Sequence, residues 1–367
     1  MPPKNRYSRA LIFPLIFSAI ARVAAAQEWS VPLEPTDQGT HRAESLAFTP
    51  DGKWLATAGL FHDPRAKNSV AEIRIWDVTT AELLKTLHGA TWSYAYRSGC
   101  LAASPDSKLL AASGWRGQPG QGLEFLIEVW DLATDKVRAT LSGHERHVTS
   151  VCFSPDGQWL VSGSLDGTVL VWNVATAQQV LALSVAEQIW QAVFSPDGKL
   201  LATGTGDGTV SFWDAKSGVK SGEIDASSQI ALALGLAFSP DGKLIAAGGI
   251  AANSGPSPVL VWELAVVGGA RSTIVPARKW KFEGHGERIV YSVAFSPDGK
   301  LLASSAQHGL VKLWDLAQGR ESGTLVGHTD FVYDVAFSPD GKRIASVGRD
   351  SLKVWSVKSG VSALRKE

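Results

Sequence analysis

The chain has 367 residues, 45% of them hydrophobic, with 36 glycines, which suits one large domain or two ordinary ones and excludes a disordered chain. Lys plus Arg and Asp plus Glu both number 35, so no basic field exists of the kind that binds phosphate, and nucleic acid is not expected as a partner. The only two cysteines, Cys100 and Cys152, lack a second Cys at metal-ligand or redox-motif spacing, which excludes a disulfide scaffold and a zinc site.

In chain order, residues 1–26 read as an export signal. Lys4, Arg6 and Arg9 form a positive start, Leu11 to Ala21 is an apolar run, and Ala24-Ala25-Ala26 before Gln27 fits a small-x-small cleavage site. The run is about half as long as a bilayer span and Arg22 interrupts it, so no stable membrane anchor is expected after cleavage. No Cys follows for a lipid anchor, and no Arg-Arg pair marks the folded-protein export route. Without Lys4, Arg6, Arg9 and Arg22, residues 27–367 carry 31 basic against 35 acidic residues, a mildly acidic chain expected in a periplasm or outside the cell.

A repeat organises the remainder. Ser/Thr-Pro-Asp-Gly/Ser occurs seven times, beginning at Thr49, Ser104, Ser154, Ser195, Ser239, Ser296 and Ser338. Pro presets φ at the second position of a type I turn, Asp suits the third, and Gly accepts the positive φ from which the next strand leaves. Flanking runs such as Val148 to Phe153, Trp159 to Ser162 and Thr168 to Trp172 alternate with period two and are rich in β-branched and aromatic residues, so they are strands. Each repeat ends in a tryptophan: Trp76, Trp130, Trp172, Trp213, Trp262, Trp314 and Trp355. Their spacings are 54, 42, 41, 49, 52 and 41 residues, room for four short strands with insertions in some copies. One such sheet cannot bury both faces alone, whereas seven arranged radially bury them against their neighbours. The expected architecture is all-β, a single seven-bladed β-propeller over residues 27–367.

Gly143-His144, Gly284-His285 and Gly327-His328, with Trp76-Asp77, Trp130-Asp131, Trp213-Asp214 and Trp314-Asp315, resemble WD40 repeats. The resemblance covers roughly residues 28–360. It implies a buried hydrogen-bond tetrad of Trp, Ser/Thr, His and Asp in each blade: Trp172, Ser162, His144 and Asp166 in the third repeat, and Trp355, Ser346, His328 and Asp350 in the seventh. Such a set looks like a catalytic triad, but a buried indole and imidazole need partners in any case, so the expectation is structural. His308 stands where the sixth repeat should have Asp, the fourth lacks Gly-His, and Ala112 and Ala247 replace the hydroxyl in the second and fifth. Those blades are expected to rely on packing.

Strands such as Thr86-Leu87, Thr140-Leu141, Leu181 to Leu183 and Thr324-Leu325 follow the tryptophan by about ten residues, and after Trp355 that offset lands at Arg365. The last repeat therefore lacks its outer strand, and Trp29 to Leu33 is expected to supply it, with Pro32 tolerable on an outermost strand. Insertions mark one end of the ring: Leu60 to Ala71 with Phe61, His62 and Arg65, Trp115 to Leu123, Ile250 to Pro258, and the connection at Thr91 to Arg97 with Trp92, Tyr94 and Tyr96. Trp190, Tyr291 and Tyr333, each four residues before the Phe that precedes a turn, with Asp334 beside them, occupy positions that the resemblance places at the channel mouth, where protein partners bind.

Enzyme-like strings dissolve in context. Gly204-Thr-Gly-Asp-Gly-Thr is followed by no helix and shares its register with Gly163-Ser-Leu-Asp-Gly-Thr, so it is a strand connection. His144-Glu-Arg-His147 precedes a strand at the wrong spacing for a zinc hydrolase. The turn aspartates Asp156 and Asp197 lack calcium spacing, and no Asn-x-Ser/Thr sequon occurs. The leading expectation is a non-catalytic, monomeric interaction scaffold for a protein partner, with no cofactor, metal or catalytic residue. Two alternatives stay open: a propeller enzyme resembling quinone-cofactor dehydrogenases, for which no ligand set is found, and a ligand or glycan sensor using the channel mouth. Cys100 and Cys152 lie on first strands of adjacent repeats; core thiols are the expectation over an oxidised pair.

Overall fold

The computed structural model describes residues 24–33, 40–63, 68–89, 100–117, 122–267 and 273–358. Its strands form seven four-stranded antiparallel sheets, numbered here as blades one to seven with strands a to d from the inside outward. Blade one comprises Thr40–Phe48, Trp54–Asp63, Asn68–Asp77 and Leu83–His88; blade two, Leu101–Ala103, Leu109–Gly117, Leu123–Asp131 and Lys136–His144. Blade three comprises Val148–Phe153, Trp159–Ser164, Thr168–Asn173 and Gln178–Ser184; blade four, Ile189–Phe194, Leu200–Thr205, Thr209–Asp214 and Lys220–Asp225. Blade five comprises Ile230–Phe238, Leu244–Ala251, Val259–Val267 and Thr273–Phe282; blade six, Val290–Phe295, Leu301–Ala306, Leu310–Asp315 and Arg320–Val326. Blade seven takes Val332–Phe337, Arg343–Gly348 and Ser351–Lys358 from the end of the chain and its strand d, Ala24–Pro32, from the beginning.

The core follows from this stacking. Each pair of neighbouring blades encloses its own apolar cluster, seven in all among the described residues. A b strand such as Trp159–Ser164 is buried along nearly its whole length because neighbours cover both faces. The blades crowd toward the axis: a side chain at Gly163 would drive into Ile189 and Ser150 of strands a. The repeat tryptophans fill the blade interfaces, as Trp172 does between blades two and three and Trp355 between six and seven.

At one end of the ring the seven turns join strands a and b. Gly157 donates to the carbonyl of Ser154 at 2.9 Å with φ of 71°, and the Ser154 hydroxyl donates to Asp156 at 2.5 Å while accepting from Trp159 N–H at 2.9 Å. Adjacent turns touch: Pro155 lies against Gly198, and Pro297 against Gly341. Blade two has Ser107 where the others have Gly, held at φ of 60°, and its hydroxyl accepts Asp51 N–H of blade one at 3.1 Å.

The closing strand is longer than Trp29 to Leu33. It begins at Ala24, and Ala24, Ala25 and Ala26 pair with Lys358, Val357 and Ser356, three pairs that cleavage before Gln27 would remove. Residues 1–23 lie outside the described ones.

Candidate partner-binding end of the ring

The b–c hairpins and the d–a connections lie at the end opposite the seven turns. Blade one carries its b–c pairing out to Asp63 and Asn68, with Phe61 opposite Val70. In blade two the ladder runs to Gly117 and Leu123, stiffened by an Arg116–Glu124 ion pair of 2.7 Å, and Trp115 is buried at its base. From the same hairpin Phe125 reaches the connection into blade three, edge-on to His147 at 4.8 Å. In blade five the loop after Ala251 folds over its neighbour: Ser257 N–H donates to Gly286 O of the next connection at 2.7 Å, while its hydroxyl accepts Ala251 N–H at 3.1 Å. Trp92, Tyr94 and Tyr96, and the side chain of Phe61, lie outside the described residues.

The aromatic cluster at the channel mouth is assembled, mostly inside the ring. Tyr291 and Tyr333 are 6% and 4% exposed, with ring centroids 5.5 Å apart, and pack on Leu234. Partly exposed Trp190, Phe331, Ile250 and Ile289 surround them and form what the cluster shows to solvent. The tyrosines therefore pack the blade tops, and the outward area belongs chiefly to their neighbours.

Asp334 is also turned inward. Its carboxylate accepts Ser292 Oγ of blade six at 2.8 Å, Val335 N–H of its own strand at 2.9 Å, and Leu46 N–H and Ser45 Oγ of blade one at 3.0 and 3.3 Å. One side chain thus ties three blades, with all its lone pairs engaged. Burial pushes its carboxyl up to about 6, against the lowering effect of those donors. Ser150 plays a lesser version of this part, accepting Ala192 N–H of blade four at 2.9 Å. Sequence reading missed the clasp, although its signal was present: three residues before the turn Phe stand Ser45, Ser150, Gln191, Ser292 and Asp334, polar positions on the innermost strands.

Below Asp334 the channel holds a cavity of about 440 Å³ walled by every blade, from Leu46 and Leu101 through Cys152, Gln191 and Leu236 to Val293 and Val335. Both cysteines are free, Cys100 with its thiol pushed up to about 12 by burial. Among the described residues no group of three or more His, Cys, Asp or Glu could hold a metal ion.

The tetrads assemble in blades three and seven. Trp172 and Trp355 indoles donate to Ser162 and Ser346 at 2.9 Å, each hydroxyl lies 2.8 Å from Nε2 of His144 or His328, and Nδ1 meets Asp166 at 3.0 Å or Asp350 at 2.7 Å. Hydrogen bonds, from the imidazoles foremost, hold both carboxyls well below the usual range despite partial burial. Their buried position and repetition suit support of the b–c and d–a connections. Trp76 and Trp213 keep a shorter link, to Thr57 at 3.0 Å and Thr203 at 3.1 Å. Trp130, opposite Leu110 in a blade where Ala112 takes the place of the hydroxyl, has a buried N–H without a partner. Blade six does not rely on packing alone: Trp314 donates to Ser304 at 2.8 Å, Ser304 lies 2.6 Å from His285 Nε2, and His285 Nδ1 lies 3.2 Å from His308 Nε2. An imidazole fits where a carboxylate was expected because its ring nitrogen also reaches the partner.

These features are those of the WD40 propellers, and comparison with known proteins agrees. The family model for the WD domain, G-beta repeat, matches residues 135–173, 179–214, 277–315 and 319–356. Each match takes strand d of one blade, or most of it, and strands a to c of the next, and strands a to c of blades one, two and five, which carry the enlarged hairpins, fall outside them. The chain is 31% identical over 290 residues to periodic tryptophan protein 2 of Arabidopsis thaliana, covering 78% of this chain and 28% of that one. It is 28% identical over 86 residues to the small ribosomal subunit protein RACK1 of Neurospora crassa, 23% of this chain and 25% of that protein. It is 35% identical over 104 residues to the target of rapamycin complex subunit wat1 of Schizosaccharomyces pombe, 28% of this chain and 29% of that one. The matches thus span under a third of these relatives' own length. The chain belongs to the WD40-repeat β-propellers.

Proposed function

We propose that this propeller is a non-catalytic scaffold, exported by its N-terminal segment, that holds another protein against the end bearing the b–c hairpins. The observation that carries this reading is asymmetry: blades one, two and five all enlarge the b–c connection at one end, while the a–b end is a ring of near-identical turns. Trp190, Phe331 and Leu123 give that end exposed or half-exposed apolar surface, and Arg116 and Glu124 give it charge. The names of two relatives place them in a small ribosomal subunit and a target of rapamycin complex, company that suits a scaffold. A small-ligand sensor is a second reading, favoured by the 440 Å³ cavity beneath Asp334.

The test is cross-linked capture from the cell envelope of the native host, with N-terminal sequencing of the recovered chain. Shortening the blade-two hairpin and replacing Trp190 and Phe331 by Ala should abolish capture of one defined partner at an unchanged melting midpoint. Retained capture would remove the proposed face. A mature chain still carrying Lys4 to Arg9 would remove export by cleavage.

A further inference from the structure

Blade six supplies the same relay as blades three and seven with one member exchanged, and the exchange alters where protons can reside. In blades three and seven an imidazole between a hydroxyl and a carboxylate donates from Nδ1 to Asp166 or Asp350. Those carboxylates also accept Glu145 N–H at 2.9 Å and Thr329 N–H at 3.0 Å, so they fasten the d–a connection from outside. There the imidazole ring would always lie against an anion.

In blade six it would not. Leu310 N–H points at His308 Nδ1 from 3.3 Å, which assigns a lone pair there and leaves the His308 proton on Nε2, directed at His285 Nδ1. His285 then donates from Nε2 to Ser304, whose oxygen also accepts the Trp314 indole. Two neutral rings share this arrangement. Any further proton either sets two N–H groups against each other or leaves Leu310 N–H facing another donor. The charged groups named as acting on the pair are cations: Lys312 on strand c, itself held by Glu321 on strand d at 2.7 Å, and Arg288 in the d–a connection. Burial, then the neighbouring imidazole and Lys312, lowers His285 to about 3; burial, Lys312 and Arg288 lower His308.

We propose that the His285–His308 pair makes blade six an acid-opened corner, whose d–a connection and b–c turn release together on protonation while blades three and seven stay fastened. The corner has defined neighbours. Gln307 N–H donates to Ile289 O at 3.0 Å, joining the turn to the connection, and Ser257 N–H donates to Gly286 O at 2.7 Å, joining blade five's enlarged loop to it. Release at His285 therefore frees the blade-five loop as well.

The sign follows from linkage. A histidine lowered in the closed state is neutral in both states above its ordinary value, and below that value only the open state takes the proton, so closure is lost as pH falls. Between about pH 7.5 and about pH 5 one such histidine favours opening by roughly 30-fold. Hydrogen exchange on the full chain, read as protection factors, should show that loss in peptides covering 283–289, 307–310 and 251–257. Peptides around His144 and His328 should keep their protection. His308→Asp, which restores the arrangement of the other two blades, should abolish the pH dependence, and His308→Asn, uncharged throughout, should reduce it if the Asp variant does not fold. Equal protection at both pH values, or the same loss in every blade, would overturn the proposal.

Discussion

Blades three and seven present the same four-stranded sheet, but only blade three is made from consecutive chain. Its strands c and d are joined by a short turn in which the Asn173 side chain accepts Ala175 and Thr176 N–H at 3.0 and 2.9 Å. Blade seven has no such turn, because its strand d comes from the other end of the sequence. The pairing is nonetheless the same down to the irregularity: Trp172 faces Gln179 with the register slipping beside it, and Trp355 faces Gln27 with the slip between Gln27 and Trp29. Sheet geometry is thus dictated by the repeated pattern, and chain connectivity contributes only the proximity of the strands. At the seam that proximity has to be replaced. Trp29 Nε1 donates to Val78 O of blade one at 3.1 Å, Leu33 N–H to Asp350 O at 2.8 Å, Lys353 Nζ to Ser30 at 3.1 Å and Arg343 Nε to Glu28 at 2.7 Å. On the inside, Asp334 bridges the same gap.

Removing the replaced proximity is the largest perturbation available. Deleting residues 24–33 strips buried Leu33 and partly buried Trp29 and Val31 from the cluster between blades seven and one, at roughly 1.5–3 kcal/mol for a fully buried side chain and less for the other two. The melting midpoint should fall by on the order of 10 °C. An unchanged midpoint would show that the seam holds without its strand. A circular permutant with Lys358 linked to Ala24 and opened between Asn173 and Gln178 should fold to the same ring, since it merely exchanges which blade carries the break.

The inner fastening is separable through pH. Asp334 rises from 3.8 to about 6 on folding, so between those values the folded state holds a proton that the unfolded state has released, and stability declines as pH rises through that window. Asp334→Asn removes this dependence but turns an N–H group toward Leu46 N–H, costing on the order of 2 kcal/mol at all pH values. Urea unfolding should find the variant clearly weaker near about pH 4 and close to wild type near about pH 7, because the ionised carboxylate costs wild type a similar amount there. Parallel stability curves would show that Asp334 does not titrate in this range.

A third comparison sets a furnished blade against a bare one. Ser162→Ala leaves the Trp172 indole and His144 without their shared partner and should cost about 2–3 kcal/mol, whereas Ala112→Ser offers the unpartnered Trp130 indole an oxygen and should gain about 1 kcal/mol. Equal, small effects from both would mean that these relays add little to stability.

The blade count, the turn chemistry and the closing strand were legible because each is written seven times, or missing once, along the chain. The ends of the closing strand were less so: Ala24 to Ala26 look like a cleavage site, and their pairing with Ser356 to Lys358 depends on backbone register that small side chains do not signal. Tyr291, Tyr333 and Asp334 were found by position, but whether a mouth residue points outward or into its neighbours depends on the spacing of blades, which alternation alone does not encode. His308 showed as a departure without showing its consequence, because an imidazole can take either role in a hydrogen bond and only the donors around it decide.

The smallest effect belongs to the outermost fastening. Arg343 and Glu28 are 27% and 32% exposed, so their 2.7 Å pair is partly screened, and a pair of this kind contributes about 0–1 kcal/mol. Glu28→Gln should therefore lower the midpoint by about 1–3 °C at low salt and by less in about 0.5 M salt, where screening has already weakened the pair. Asn173→Ala, which removes the corresponding turn contacts from blade three, should show no such salt dependence, since a neutral amide cap is not screened. If Glu28→Gln costs as much as the strand deletion, the charge and not the ladder is what holds the ends of this ring together.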